Sequence, residues 1–504
     1  MPENLFHFIA GDFYEGTPVR VGQVVNPATE MVIRHVPYAS TVDVDYAAAK
    51  AQTAFLEWAI TPPAARAKIL LKWQNLIEQH INQLANLIGQ EHGKSKDEAI
   101  GSITRGLDVL TYAIGIPTAL MGQYSQDVGR QVDSYSIRQP LGVVTAITPF
   151  NFPVMIPLWI CSIAIACGNT VLLKPSERNP SCALLLAELA LKAGLPPGVL
   201  NVIHGAHETV NALLEHPTIQ AVSFVGQTAT AEYVQKTAIA FGKRVQAFGG
   251  AKNHALVMPD ADLESTVDAI LGAAYGSTGE RCMAISVVVA VGDSIADQLI
   301  ERLTPKIKAL KIGCYTEDNI EMGPLITKEH RQKVLSYIEN GIVQGAHLIV
   351  DGRTSSFPEK GYFLGGCLFD HVTPAMHIYQ EEIFGPVLVM MRVETYEDGL
   401  RLINDHRYAN GGAIFTRDGD TARNFCTHVQ VGMVGVNVPI PVPVGHYSFG
   451  GWKRSNFADH GMHGMEGVRF FTKLKTVTTR WPSGIRQGVE FSLPTVSSRN
   501  ISHD

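Results

Sequence analysis

A stretch without a single charged side chain, residues 139–173, constrains the fold of this chain more than any other feature. It reads QPLGVVTAITPFNFPVMIPLWICSIAIACGNTVLL. A membrane-spanning helix needs about 20 continuous apolar residues. Here three prolines (149, 153 and 157) and the Gly168-Asn169 pair divide the stretch into shorter pieces. The pattern therefore predicts a buried strand (GVVTAIT), a loop, a core helix and a second strand (TVLLKP), and no membrane span.

Short β-branched runs alternate with helical patterns from residue 141 onward. After GVVTAIT and TVLLKP, the predicted strands are VLNVIHG, AVSFVG, HALVMP, SVVVAVG and VGMVGVNV. Alternation of this kind indicates parallel sheets covered by helices. The sequence thus predicts an α/β protein with two doubly wound open-sheet domains. The first part of the chain is expected to be helical, over residues 44–59 and 64–93, with Gly93 as a stop signal.

Two other segments alternate between apolar and polar residues: RQVDSYSIRQP and, near the other end, GVRFFTKLKTVTTRW. Both are typical of antiparallel strands outside the α/β cores. Such strands can pair across a subunit interface or fold as a hairpin onto their own domain, and the pattern leaves both options open.

Charge and cysteine content exclude several classes of protein. The formal net charge is -6 and no long run of one sign occurs, which argues against nucleic acid as the main partner. The seven cysteines are scattered, without a C-x-x-C pair or the spacing of a zinc site, so we predict no metal centre. The first residues match neither a signal peptide nor a transit peptide, and we expect a cytoplasmic protein.

The motif GERCMA contains Cys282, the side chain of this sequence that is best suited to act as a nucleophile. Small polar residues precede it, and Arg281 can stabilise a thiolate. From the residues alone, a nucleophile and a buried structural cysteine are both possible.

Asn151, in TPFNFP, follows a predicted strand. Its amide can donate to a developing oxyanion or simply cap a turn.

Two further motifs lie where α/β sheets bind ligands, beyond the carboxyl ends of strands. Lys174 and Glu177 belong to LLKPSE. Gly226 follows the strand AVSFV and precedes a helix start, the arrangement that binds a pyrophosphate.

The chain resembles the aldehyde dehydrogenase superfamily, because six motifs occur in that family's order: TPFNFP, LLKPSE, SFVG, GERCMA, EEIFGP and VNVPIPVP…SFGGWK. The resemblance runs from about Phe8 to Trp481. The segments GAKNH, RCMA and KTVTTRW are most similar to its CoA-acylating branch, which acts on methylmalonate semialdehyde.

The resemblance implies a role for each matched residue. Cys282 would be the nucleophile, and Asn151 would form the oxyanion hole together with the Cys282 N–H. Arg105 and Arg281 would bind a substrate carboxylate, as paired guanidinium hydrogen bonds allow. NAD would be bound by Phe150, Lys174, Glu177, Arg178, Gly226, Gln227, Glu382 and Phe384. Glu177 favours NAD over NADP, because a carboxylate repels a 2′-phosphate.

Three positions depart from the family pattern. Phe248 stands where hydrolytic relatives carry the glutamate that activates water, and phenylalanine cannot act as a base. We therefore expect CoA to accept the acyl group. Gln227 and Ala231 differ from the usual phosphate loop and are expected to reshape the pyrophosphate contact.

The resemblance also implies a domain division and an activity. We expect a Rossmann-like NAD-binding domain (1–118 and 139–248), a catalytic domain (249–448), oligomerisation strands (119–138 and 466–481) and a C-terminal tail (482–504). The expected reaction is oxidation of malonate or methylmalonate semialdehyde to acetyl-CoA or propionyl-CoA by a homodimer or homotetramer. The alternatives are a dehydrogenase that releases the free acid and a non-catalytic protein on the same fold.

Overall fold

A computed structural model describes residues 2–482; the expected tail therefore lies, from residue 483 on, outside the described residues. Within them the strands are, in chain order, β1 (Glu3–Asn4), β2 (His7–Ile9), β3 (Asp12–Tyr14), β4 (Arg20–Asn26), β5 (Met31–Tyr38), β6 (Tyr124–Gly129), β7 (Val132–Pro140), β8 (Val143–Ile147), β9 (Thr170–Lys174), β10 (Leu200–Val202), β11 (Ile219–Val225), β12 (Arg244–Phe248), β13 (Asn253–Val257), β14 (Ile285–Val291), β15 (His347–Val350), β16 (Cys367–Asp370), β17 (Val387–Val393), β18 (Tyr408–Ala409), β19 (Gly411–Phe415), β20 (Met433–Val436), β21 (Trp452–Lys453), β22 (Asn456–Phe457) and β23 (Thr472–Arg480).

The helices of the same residues are α1 (Thr41–Trp58), α2 (Pro63–Gln79), α3 (Ile81–His92), α4 (Lys96–Ile114), α5 (Ile116–Ala119), α6 (Met155–Ala166), α7 (Ser181–Lys192), α8 (His207–Glu215), α9 (Thr228–Ala240), α10 (Leu263–Tyr275), α11 (Asp293–Ala309), α12 (Lys328–Val343), α13 (His377–Gln380), α14 (Tyr396–Asp405), α15 (Gly419–His428) and α16 (Gly464–Phe470), with 3₁₀ turns at Gly276–Gly279 and Gly352–Thr354.

Two large open sheets form the body of the molecule. The first has the order β22-β12-β11-β8-β9-β10-β2-β3, with a parallel centre from β12 to β10 and antiparallel strands at both edges. The second has the order β15-β16-β17-β14-β13-β19-β20, parallel except for β15. This confirms the predicted α/β class, and every strand predicted from a β-branched run is present.

The charge-free stretch becomes the centre of the first sheet and its cover. Strands β8 and β9 are buried at every position, and all residues of α6 are buried. The Trp58 indole donates to the carbonyl of Ile165 at 3.0 Å, which ties α1 to the end of α6. Among residues 2–482, no helix is long and apolar enough to cross a membrane.

A third, antiparallel sheet contains the two alternating segments. Strand β7 pairs with β23 along its whole length, from Thr472 opposite Pro140 to Arg480 opposite Val132, and with β6 on its other side. The expected strand at 466–481 was wrong at its start, because residues 464–470 form α16. There Val468 and Phe470, with Phe471 just beyond, are buried in the first core, and burial outweighs the alternating pattern.

The N-terminal region also differs from the expectation of a helical start. Residues before α1 form strands β1 to β5: β2 and β3 extend the first sheet, and β1, β5 and β4 form a small sheet of their own. Helix formation begins at α1, where Ser40 and Asp43 form a capping box. The second predicted helix is divided into α2 and α3 at His80, and Gly93 ends α3 with φ of +89° as predicted.

Candidate active site

A cavity of about 540 Å³ lies at the carboxyl edge of the first sheet. Strand order reverses between β8 and β11, and in open α/β sheets ligands bind at this point. The second sheet and its loops contribute the opposite wall. Most of the predicted site residues line the cavity: Phe150, Asn151, Lys174, Glu177, Gly226, Gln227, Cys282, Glu382 and Phe384.

A strained turn, residues 277–282 and called the cysteine turn below, leads into Cys282. Ser277 and Thr278 have φ values of +53° and +55°, a conformation that non-glycine residues rarely adopt, and Gly279 follows at +74°. The amides of Asn253 and Asn410 donate to the Cys282 carbonyl at 2.9 and 3.2 Å. The position of the cysteine is thus fixed from both sides, and strain stored in such a turn is typical of functional sites.

The pKa of the Cys282 thiol is raised to about 12, mainly by burial and also by the charge of Glu382. Its own backbone N–H, that of Met283 and the ammonium of Lys94 act in the opposite direction. The two backbone N–H groups therefore lie near the sulfur and stabilise its thiolate form. Cys161, Cys167 and Cys182 are buried in the first core away from the cavity, and burial likewise raises their pKa.

Asn151 follows β8 and faces the same cavity. Its amide donates to the Glu280 carbonyl at 3.1 Å, which leaves the second amide hydrogen for a ligand. Its own main-chain carbonyl accepts a hydrogen bond from the buried ammonium of Lys94. Since Glu280 lies two residues before Cys282, these bonds connect the amide directly to the cysteine turn.

The far end of the cavity is polar. Lys174, at the end of β9, donates to the Gly205 carbonyl at 2.8 Å and lies 3.5 Å from Glu177. The N-terminus of α9 opens into the cavity at Gln227 without a side-chain cap. A Cβ on Gly226 would lie 2.5 Å from the tip of the Phe224 ring, so a larger residue here would have to displace that ring. Uncapped N–H groups at a helix N-terminus bind anions.

The wall beside Cys282 carries Glu382 and Phe384. Glu382 is partly buried and accepts a hydrogen bond from the Ala251 N–H at 2.9 Å; desolvation of its carboxylate raises its pKa to about 7. A Cβ on Gly250 would lie 2.2 Å from the Glu382 carboxylate, so the glycine makes room for it. Phe384 has a φ of +58°, and His330 Nε2 lies 2.7 Å from its carbonyl oxygen.

The two predicted carboxylate-binding arginines lie outside this cavity. Arg281 donates to Glu98 at 2.6 Å and shares a small adjoining space with Cys282 and Glu382. Arg105 lies two turns along α4 from Glu98, where it donates to Asp108 at 3.0 Å and to the Val442 carbonyl at 2.8 Å. Both guanidinium groups are therefore already paired with an acidic side chain of α4.

Comparison with known proteins agrees with this geometry. The aldehyde dehydrogenase family model matches residues 13–477. The chain belongs to the aldehyde dehydrogenase family. It is 53% identical, over 98% of its length and 99% of the relative's, to a malonate-semialdehyde dehydrogenase of Pseudomonas aeruginosa.

Two solved structures are similar to this aldehyde dehydrogenase over 97% of its chain and 100% of theirs, each with a TM-score of 0.95 and 52% identity. One is a Sinorhizobium meliloti protein assigned as a methylmalonate-semialdehyde dehydrogenase and crystallised with NAD. The other is a methylmalonate-semialdehyde dehydrogenase from Oceanimonas doudoroffii.

Besides the two arginines, three further predicted positions of this aldehyde dehydrogenase do not line the cavity. Arg178 is exposed. Ala231 packs in the core beside Val234 and does not reach the phosphate end. Phe248, 2% exposed, packs on Phe449 with ring centroids 6.2 Å apart and is part of the first core.

Sequence reasoning missed a buried polar cluster behind the cysteine turn: His92, Lys94, Glu98 and Glu280. Glu98 accepts from the Ser277 N–H and from Arg281. Glu280 accepts from the Ile326 N–H at 3.1 Å. In the sequence, Lys94 and Glu98 stand in the polar segment HGKSKDE between two helices, which is typical of a solvated turn. The only signal was that Gly93 and Ser95 fix the chain tightly on both sides of Lys94.

Proposed function

We propose that this aldehyde dehydrogenase oxidises malonate or methylmalonate semialdehyde with NAD and transfers the acyl group to CoA. The observation that carries the proposal is the shared cavity, which brings Cys282 and Asn151 of two different sheets together with the polar groups of β9 and α9. The names of the similar proteins from Pseudomonas aeruginosa and Sinorhizobium meliloti support the substrate class and the cofactor.

The residues present fit a dinucleotide. The α9 N-terminus would bind its pyrophosphate, and Lys174 and Glu177 would hold the adenosine ribose. Thr148 lines the cavity, and its hydroxyl is buried without a hydrogen-bond partner among the described residues, so it can bind a ligand. Glu382 and Phe384 would hold the nicotinamide ribose and ring. NAD, when bound, supplies the hydride acceptor.

The protein's own groups perform the remaining chemistry. The Cys282 thiol loses its proton to solvent water as its sulfur attacks the aldehyde carbon, and the carbonyl oxygen becomes an oxyanion held by Asn151 and the Cys282 N–H. Loss of hydride gives a thioester on Cys282. The β-carboxylate of that thioester leaves as carbon dioxide, and its electron pair is protonated at carbon. The CoA thiolate then displaces the Cys282 sulfur and releases acetyl-CoA or propionyl-CoA.

The acceptor follows from the side chain at position 248. Phenylalanine packed in the core supplies no base for water, and a thiolate is the stronger nucleophile at neutral pH. A second candidate, release of the free acid, is favoured by Glu382, whose carboxylate shares the cavity with Cys282. The CoA reaction is preferred because Glu382 would be occupied by the nicotinamide ribose.

The test is a steady-state assay with malonate semialdehyde, NAD and CoA, each omitted in turn, with NADH, acyl-CoA and free acid measured. We expect acyl-CoA equal to NADH, and activity lost in Cys282→Ala but kept in the control Cys426→Ala, an exposed cysteine. Free acid equal to NADH in the presence of CoA would favour the hydrolytic reaction.

We also propose a homodimer or homotetramer assembled through the third sheet. Within residues 2–482, β23 forms a ladder with β7 alone and is an edge strand, and such strands can pair with another chain. Leu474 on this strand and Ile137 on β7 are exposed apolar side chains. Size-exclusion chromatography with light scattering tests this, and Leu474→Lys should shift the protein toward the monomer.

A further inference from the structure

Lys94 is a buried lysine that the proposed chemistry does not use. It lies in the turn between α3 and α4, and only 2% of its surface is exposed. Gly93 ends α3 and Ser95 caps α4, so the backbone on both sides of the lysine is fixed. A Cβ on Gly93 would lie 2.5 Å from Pro324, which shows how tightly this turn is packed. Burial of an ammonium group is costly unless it is paired.

The ammonium of Lys94 contacts two consecutive residues of the loop after β8. It donates a hydrogen bond to the main-chain carbonyl of Asn151. It also lies 3.8 Å from the centroid of the Phe152 ring, a cation–π contact. The lysine therefore holds the peptide from which the Asn151 amide projects.

Charged groups from two other elements surround it. Glu98 faces it from α4, and Glu280, Arg281 and Cys282 face it from the cysteine turn. Burial lowers the pKa of Lys94 to about 7; the two carboxylates and the Cys282 thiol act in the opposite direction, and Arg281 lowers it. The lysine thus lies at the centre of the buried polar cluster that connects α4, β8 and Cys282.

We propose that Lys94 is a positioning residue that fixes the direction of the Asn151 amide toward the substrate oxygen. The main-chain oxygen of Asn151 is held by Lys94, and its amide nitrogen is held by the Glu280 carbonyl, so the residue is fixed at two points relative to Cys282. This inference rests on the oxyanion role proposed for Asn151. A displacement of about 1 Å at such a donor costs on the order of 100-fold in rate.

The test is a double-mutant cycle of Lys94→Met and Asn151→Ala in the full-length enzyme, with malonate semialdehyde, NAD and CoA as substrates. Lys94→Met should lower kcat by about 10- to 100-fold, with the KM for NAD changed by less than about threefold. In the Asn151→Ala background, Lys94→Met should lower kcat by less than about threefold, because the lysine acts through the asparagine.

Lys243→Met is the matched control. Lys243 is also buried and donates to two main-chain carbonyls, His216 and Ile219, at the opposite edge of the first sheet. The Lys243→Met enzyme should lose thermal stability, and its kcat should be unchanged. If Lys94→Met behaves like Lys243→Met, or if its effect multiplies fully with that of Asn151→Ala, the positioning role is wrong. If instead Cys282→Ala still forms NADH, the proposed function itself fails.

Discussion

The sharpest prediction concerns Arg281 and the choice of substrate. In Arg281→Ala, kcat/KM for malonate semialdehyde should fall more than kcat/KM for propanal, which has the same chain length and no carboxylate. The guanidinium lies flat against Gly276, where an added Cβ would come within 2.6–2.7 Å of three of its atoms, so its position is well defined.

The magnitude follows from the contacts of the guanidinium. Hydrogen bonds to a charged group contribute about 1.5–3 kcal/mol, and each 1.36 kcal/mol corresponds to about tenfold in rate. One nitrogen of Arg281 is already engaged by Glu98 at 2.6 Å, which places the expected effect in the lower half of that range. We therefore expect the specificity ratio to fall about 10- to 40-fold.

The ratio of kcat/KM for malonate semialdehyde to kcat/KM for propanal cancels any effect of the substitution that is common to both substrates. Loss of Arg281 removes the guanidinium that donates to Glu98, whose carboxylate also holds the Ser277 N–H, and this lowers the rate with either aldehyde. Initial rates of NADH formation over a range of each aldehyde give the two kcat/KM values. Arg302→Ala, which breaks the remote surface pair with Glu264, is the control and should change neither. Equal losses for both aldehydes would refute carboxylate recognition by Arg281.

Three further substitutions test neighbouring parts of the site. Gly250→Ala should raise the KM for NAD by at least about tenfold, because its Cβ would displace Glu382, whose hydrogen bond to a backbone N–H is charge-assisted; an unchanged KM would exclude a cofactor role for Glu382. Asn151→Ala should lower kcat by about 100- to 1,000-fold with NAD binding unchanged, measured by NADH formation and by calorimetric titration; a fall below threefold would exclude the oxyanion role. Phe248→Ala should cost about 3–5 kcal/mol of unfolding free energy in urea, because the side chain is fully packed on Phe449; a loss below 1 kcal/mol would contradict that packing.

The central strands could be predicted because their own sequences show that both of their faces are buried. Strands β8, β9, β11, β13 and β14 are buried on both faces and read as continuous apolar runs. Residues that follow such strands meet at one edge of a sheet, so the motifs of Asn151, Lys174 and Gly226 could be expected to converge.

The features that could not be predicted from the sequence depend on contacts between distant parts of the chain. Lys94 looks like a solvated residue because its contacts, the Asn151 carbonyl and the Phe152 ring, come from residues more than fifty positions later. The motif alignment placed Phe248 at the site of a base, but the direction of its side chain is decided by Phe449, some two hundred residues later. Helix α16 was missed because its alternating sequence packs on the core of another segment.

Mass spectrometry of the Cys282 peptide shows directly whether the reaction passes through a thioester on this cysteine. The enzyme is mixed with malonate semialdehyde and NAD without CoA, quenched within the first turnover and digested. We expect an acyl group on Cys282 at near-stoichiometric occupancy, and its quantitative appearance as acyl-CoA when CoA is added. Unmodified Cys282 during rapid NADH formation, or an acyl group that leaves as free acid faster than it reaches CoA, would contradict it.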